Sequence, residues 1–129
     1  MNLPEALIQL LRGAVGIGHR VYLNQMPNNN VEACIVLDMV NPHTAPEGGI
    51  HRDTWQVSAY TKGRTANGEA IALMQEVESR LHRWCGVVSG LHIQRIMAQN
   101  EGGLLYENNE EWWHAYREFA ITYTTLGGR

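Results

Sequence analysis

Two neighbouring stretches of this chain alternate apolar and polar residues with a period of two. In Val31–Val40 the residues Val31, Ala33, Ile35, Leu37 and Met39 share one phase, and in His51–Tyr60 the residues Trp55, Val57 and Ala59 do the same. Side chains on a strand point alternately to opposite faces, so this period predicts two half-buried strands of an antiparallel sheet. Leu91–Met97 reads as a further strand. The last runs from Trp112 to about Thr125, with Phe119, Ile121 and Tyr123 on one face and Ala120, Thr122 and Thr124 on the other. His19–Leu23 and Leu104–Glu107 are short strand candidates, and Glu101-Gly102-Gly103 reads as a turn before the second of them.

The period changes to that of a helix in two places. Leu3, Leu7, Ile8, Leu10 and Leu11 follow helical spacing around Pro4, which suits a first helical turn. Between Ala66 and Cys85, the residues Ala70, Ile71, Met74, Val77, Leu81 and Trp84 form one apolar stripe, while Glu69, Gln75, Glu76, Glu78 and Arg83 lie mostly off it. Thr65 or Asn67 can cap the start of this helix and Gly86 can close its end. The expectation is an α+β fold: an antiparallel or mixed β-sheet, a short N-terminal helix, and one long amphipathic helix packed on one face. The length, 129 residues, suits a single domain over 1–129 with one core.

Between the two leading strands lies Asn41-Pro42-His43-Thr44-Ala45-Pro46-Glu47-Gly48-Gly49-Ile50. Two prolines and two adjacent glycines argue against regular structure, and the segment is too long for a tight hairpin turn. It is expected to be a projecting loop, a place where contact function concentrates. Trp112 and Trp113 are consecutive, so on a strand they point to opposite faces and only one enters the core easily. The other is covered by the chain's own loops or by a partner, which makes the pair candidate interface aromatics.

Charge narrows the partners. With 10 basic and 13 acidic residues the formal net charge is −3, which argues against affinity for a nucleic-acid backbone. The single basic cluster, Arg80, His82 and Arg83, sits at a helix end where cations favour the helix dipole. Cys34 and Cys85 form no Cys-x-x-Cys pair and read as two small buried side chains rather than a disulfide or metal motif. No signal peptide is evident and no run is long enough to span a bilayer.

No catalytic motif stands out. There is no Gly-x-Ser-x-Gly elbow, and the glycines at 13, 16 and 18 follow a helix rather than a strand, in the wrong order for a dinucleotide loop. The histidines His19, His43, His51, His82, His92 and His114 include no helical zinc pair. His43 and His51 flank the same loop, with Asp53 nearby, and form the one set that an enzyme or metal site would use. The expectation is a non-enzyme with no metal and no cofactor.

The order of these elements suggests a family. A short N-terminal helix precedes Val21-Tyr22-Leu23-Asn24-Gln25-Met26-Pro27. A hydrophobic strand and a loop come next, then Trp55-Gln56-Val57-Ser58-Ala59-Tyr60-Thr61, a helix opening Gly68-Glu69-Ala70-Ile71-Ala72-Leu73-Met74, and a final strand with Phe119-Ala120-Ile121-Thr122-Tyr123. Over nearly the whole chain this resembles the tail terminator proteins of long-tailed phages, also called tail completion or tail-to-head joining proteins. The resemblance carries no catalytic residue. It implies a virion protein of the tail and neck, assembled in the host cytoplasm and not in a membrane. It implies a ring, a hexamer, that caps the tail tube protein, stops its polymerisation and offers a surface to the head-connector or stopper protein. DNA would pass through the lumen without specific binding. The rival readings are another neck ring protein, such as the stopper, and a small α+β enzyme using His43, His51 and Asp53.

Overall fold

The computed structural model describes residues 3–13, 20–25, 32–47, 50–63, 67–107 and 111–125, with the backbone alone for 41–47 and 125. The elements run α1 (Leu3–Leu11), β1 (Val21–Leu23), β2 (Cys34–Glu47), β3 (Ile50–Lys62), α2 (Asn67–Leu81), β4 (Gly86–Val88), β5 (Leu91–Glu107) and β6 (Trp112–Thr125). The six strands form one half-barrel sheet in the order β1-β2-β3-β6-β5-β4. All neighbours pair antiparallel except β1 and β2, which pair parallel.

This corrects the expected α+β fold with a long amphipathic helix. The fold is mainly β: four strands are 13 to 17 residues long, whereas the helices have 9 and 15. α2 stops at Leu81, because the chain turns at Arg83, whose φ is +67° and whose N–H donates to Ile96 O at 2.7 Å. The buried stripe of α2 is Ala70, Leu73, Met74, Val77 and Leu81. Ile71 is 42% exposed and Leu73 takes its place.

The strands are long because they pass through residues that read as breaks. β5 continues across Gly102-Gly103, with a register shift between Gln99 and Gly103. β2 continues into Asn41–Glu47, opposite Ile50–Thr54, with shifts after Met39 and after His43. The expected projecting loop is thus strand over 41–47 and at Ile50; Gly48 and Gly49 lie outside the described residues. Proline lacks an N–H and is tolerated on an edge strand, where the missing donor faces no partner.

The core lies between the sheet and the helices. Ile35 and Leu37 of β2, Trp55 and Val57 of β3, and Phe119 and Ile121 of β6 pack into one core with α1 and α2, each at most 2% exposed. Two polar links tie the layers. Arg117 on β6 forms an ion pair with Glu78 of α2. Arg80 of α2 donates to Leu10 O at 3.2 Å and to Arg12 O at 3.3 Å, satisfying carbonyls that the end of α1 leaves open. Cys34 is buried as expected, whereas Cys85 is exposed.

Candidate functional site

The sheet has two long strands that are only partly covered at their edges. β1 pairs with β2 at Ile35–Leu37 alone, and Asn24 N–H caps Leu37 O at 2.8 Å. From Met39 to Glu47 no strand lies on the far side of β2 among the described residues. On the opposite side, β4 covers β5 at Leu91–Ile93. The turn after α2 covers the next groups, Arg83 N–H donating to Ile96 O and Ala98 N–H donating to His82 Nδ1 at 3.0 Å. From Gln99 to Glu107 the edge is again open among the described residues. Open strand edges present unpaired backbone groups and are templates for pairing with another chain. Large exposed apolar residues accompany both: Met39, Val40 and Ile50 by the first, Leu105 on the second.

The face of the sheet turned away from α2 carries two distinct zones. At one end Tyr60 and His114 stack at 4.3 Å, Tyr116 lies 5.4 Å from His114, and Trp112 meets Tyr60 edge-on at 6.2 Å. Lys62 Nζ sits 5.0 Å over the Trp112 ring. At the other end Arg52, Arg95, Met97, Gln99, Ala120 and Thr122 line a cavity of about 300 Å³.

For Asn41, Pro42, His43, Thr44, Ala45, Pro46 and Glu47 only the backbone is described, with Asn41 opposite Thr54, Pro42 opposite Asp53, His43 opposite Arg52 and Glu47 opposite Ile50. Trp112 and Trp113 do point to opposite faces. Trp112 is 3% exposed on the outer face. Trp113 packs half-buried against the core with Tyr106 at 5.0 Å. His51 and Asp53 share one face, but both engage Tyr123: His51 stacks on its ring at 5.2 Å and Asp53 Oδ2 accepts its hydroxyl at 3.1 Å. Burial and the neighbouring Asp53 carboxylate push the Tyr123 pKa up to about 12, so the hydroxyl stays a donor. Among the described residues no three His, Cys, Asp or Glu side chains are placed to hold a metal ion. Among them, too, no helix is long and apolar enough to cross a membrane.

His114 gives the aromatic zone a pH response. Its Nε2 is buried without a hydrogen-bond partner, and burial holds its pKa below the ordinary 6.5. Below pH 6.5 the unfolded chain therefore takes up a proton that the folded chain resists. Stability then falls with falling pH until the folded-state His114 also titrates. The melting temperature is expected to decline more steeply between pH 7 and pH 5 in the native chain than in His114→Phe, which keeps a stacking ring. Parallel profiles would show that His114 does not carry this dependence.

Sequence reading missed Arg52 and Arg95 as a pair. They lie 43 positions apart in the chain, and only the register of three strands brings them to one row.

No protein-family model matches this chain, and no curated protein does. Among solved structures it is similar to a chain of the virion of a native gene transfer agent particle. The TM-score is 0.68 at 15% identity, over 95% of this chain and 94% of that one. At that identity the likeness is one of fold.

Proposed function

We propose that this chain is a structural virion protein of a phage-like particle, a tail terminator that forms a ring on the end of the tail tube and joins it to the head connector. The observation that carries the reading is the near-complete fold likeness to a chain of the gene transfer agent virion. The two open edges support self-association. They lie on opposite sides of one sheet, so a contact between the Gln99–Glu107 edge of one copy and the Met39–Glu47 edge of the next is head-to-tail. Such contacts close into a ring when the rotation per subunit allows it. The segment Asn41–Ile50 is then a contact element for the neighbouring subunit, the tube or the connector. The role is assembly rather than catalysis, and DNA passes through the lumen.

Light scattering over a concentration series, with electron microscopy on tail tubes and on emptied heads, tests this. The expected result is a weakly associating monomer or a closed ring, with rings on tube ends. A tight two-fold dimer at all concentrations contradicts it, and binding to emptied heads alone replaces the terminator by a connector-side ring. Lysine on an edge blocks strand addition. Val40→Lys and Leu105→Lys alter exposed side chains, so each is expected to keep the melting temperature within a few degrees while abolishing rings. Normal ring formation by both variants would remove the edges from the interface.

A further inference from the structure

The cavity on the outer face is built around a row of three residues. Arg52 on β3 and Arg95 on β5 are both register partners of Thr122 on β6, the strand between them. Residues opposite one another across a sheet share a face, and two strand spacings separate the arginine backbones by about 10 Å. Both guanidinium groups can therefore reach a single group held over Thr122. The alignment depends on a bulge: Ile93 pairs with Tyr123 and Arg95 with Thr122, so Gln94 is the extra residue that shifts Arg95 into the row. Bulges re-aim side chains in this way beside binding sites.

The two arginines are exposed. Among the described residues neither forms an ion pair, in contrast to Arg20, Arg80 and Arg117, which pair with Glu32, Glu76 and Glu78. Asp53, next to Arg52 in sequence, points to the opposite face and accepts the Tyr123 hydroxyl. Glu118 shares the outer face, but it lies four residues from Thr122, about 13 Å along the strand, and accepts from Asn100 Nδ2 at 3.1 Å. Met97 and Ala120 supply an apolar floor, and Gln99 a further polar group.

We propose that Arg52, Thr122 and Arg95 form a docking row for a carboxylate-bearing segment of a partner protein. Guanidinium forks bind carboxylate and phosphate alike, in paired hydrogen bonds. The number of charges decides between them. A nucleic-acid contact gains its strength from many neutralised phosphates, whereas this row offers two cations on a chain of net charge −3. Two cations and a hydroxyl over a small apolar floor match one or two carboxylates. The row goes beyond the ring reading, and because it lies within one chain it is tested on dilute protein whether or not rings form.

The test uses the full chain and labelled peptides by fluorescence anisotropy. A hexaglutamate peptide is expected to bind saturably and a hexaglutamine peptide not to bind. Arg52→Gln/Arg95→Gln is expected to weaken hexaglutamate roughly tenfold at unchanged melting temperature, in line with two exposed charge pairs of up to about fivefold each. Arg12→Gln/Arg83→Gln removes the same charge from exposed positions elsewhere and is expected to change binding less than twofold. Equal loss in both double variants would reduce the effect to net charge and overturn the site. So would unchanged binding in Arg52→Gln/Arg95→Gln. A short DNA duplex binding more tightly than hexaglutamate through the same two arginines would overturn the carboxylate assignment in favour of nucleic acid.

Discussion

Replacing Phe119 with alanine is expected to cost about 3–5 kcal/mol of stability, the range for removing a fully buried aromatic side chain. Phe119 is the one phenylalanine in the chain and is 0% exposed. It sits at mid-strand in β6, opposite Trp55 on β3 and Ala98 on β5. A large ring flanked by an indole on one side and a methyl on the other fills its layer. Truncation leaves a void beside Trp55 in the buried core. For a domain of this size the loss corresponds to a fall in melting temperature of roughly 10–20 °C. Urea unfolding followed by tryptophan fluorescence measures it. Phe119→Leu, which keeps most of the volume, is expected to lose less than half as much. A loss below about 1 kcal/mol for the alanine variant would show that Phe119 is not packed at the centre of the core.

How much of this was legible beforehand depends on which signal each element carried. The odd-numbered phase of Ile35, Leu37, Trp55, Val57, Phe119 and Ile121 was readable directly, and it is the face that packs on the helices. α1 was readable for the same reason. What failed was the treatment of proline and glycine as stops. Pro42 and Pro46 sit on the uncovered stretch of β2, where an absent N–H breaks no ladder. Gly102 sits in a bulge and Gly103 is paired again with Tyr116, so β5 stays paired to β6 on both sides. Treating those segments as breaks shortened the strands and left the helix as the dominant element, hence the expected α+β fold. The phase of the α2 stripe is legible at Ala70, Met74, Val77 and Leu81; one member differs, because Ile71 and Leu73 are both apolar and only the sheet decides which of them is buried.

The candidate surfaces were less legible, for a physical reason. An open edge is a property of which strands are neighbours, and the short β1 and β4 that leave the edges open carry little pattern of their own. The Arg52–Thr122–Arg95 row depends on a one-residue bulge, and a shift of one residue moves a side chain to the other face. No local pattern fixes that register. Turn chemistry singles out Asn41–Ile50, yet Asn41–Glu47 belongs to β2, on the stretch that no other strand covers on its far side among the described residues.

A second bulge in β5, between Gln99 and Gly103, yields the second large effect. Gly102 has φ +72°, a region that L-residues adopt at a cost of about 1–2 kcal/mol. A Cβ there would overlap the carbonyl oxygen of Tyr116 and lie 3.5 Å from Arg117 Cα. Those are backbone atoms of β6, and they cannot retreat without opening the β5–β6 ladder. Gly102→Ala is therefore expected to destabilise the chain by on the order of 2–4 kcal/mol, strain and overlap together. Gly103→Ala makes the useful contrast. The atoms nearest a Cβ at Gly103 belong to the Tyr116 ring, with Cζ at 2.6 Å, and a side chain can swing aside where backbone cannot. It is expected to cost less than half as much as Gly102→Ala. Gly68→Ala, in the first turn of α2 with nothing within 4 Å, is expected to stay within about 0.5 kcal/mol of the native chain. Because the bulge sets the course of the Gln99–Glu107 edge, which is open among the described residues, Gly102→Ala is also expected, under the ring proposal, to impair ring formation at temperatures where the variant is still folded. If all three variants melt together with the native protein, β5 does not approach β6 at Gly102 as described, and the geometry of that edge must be redrawn.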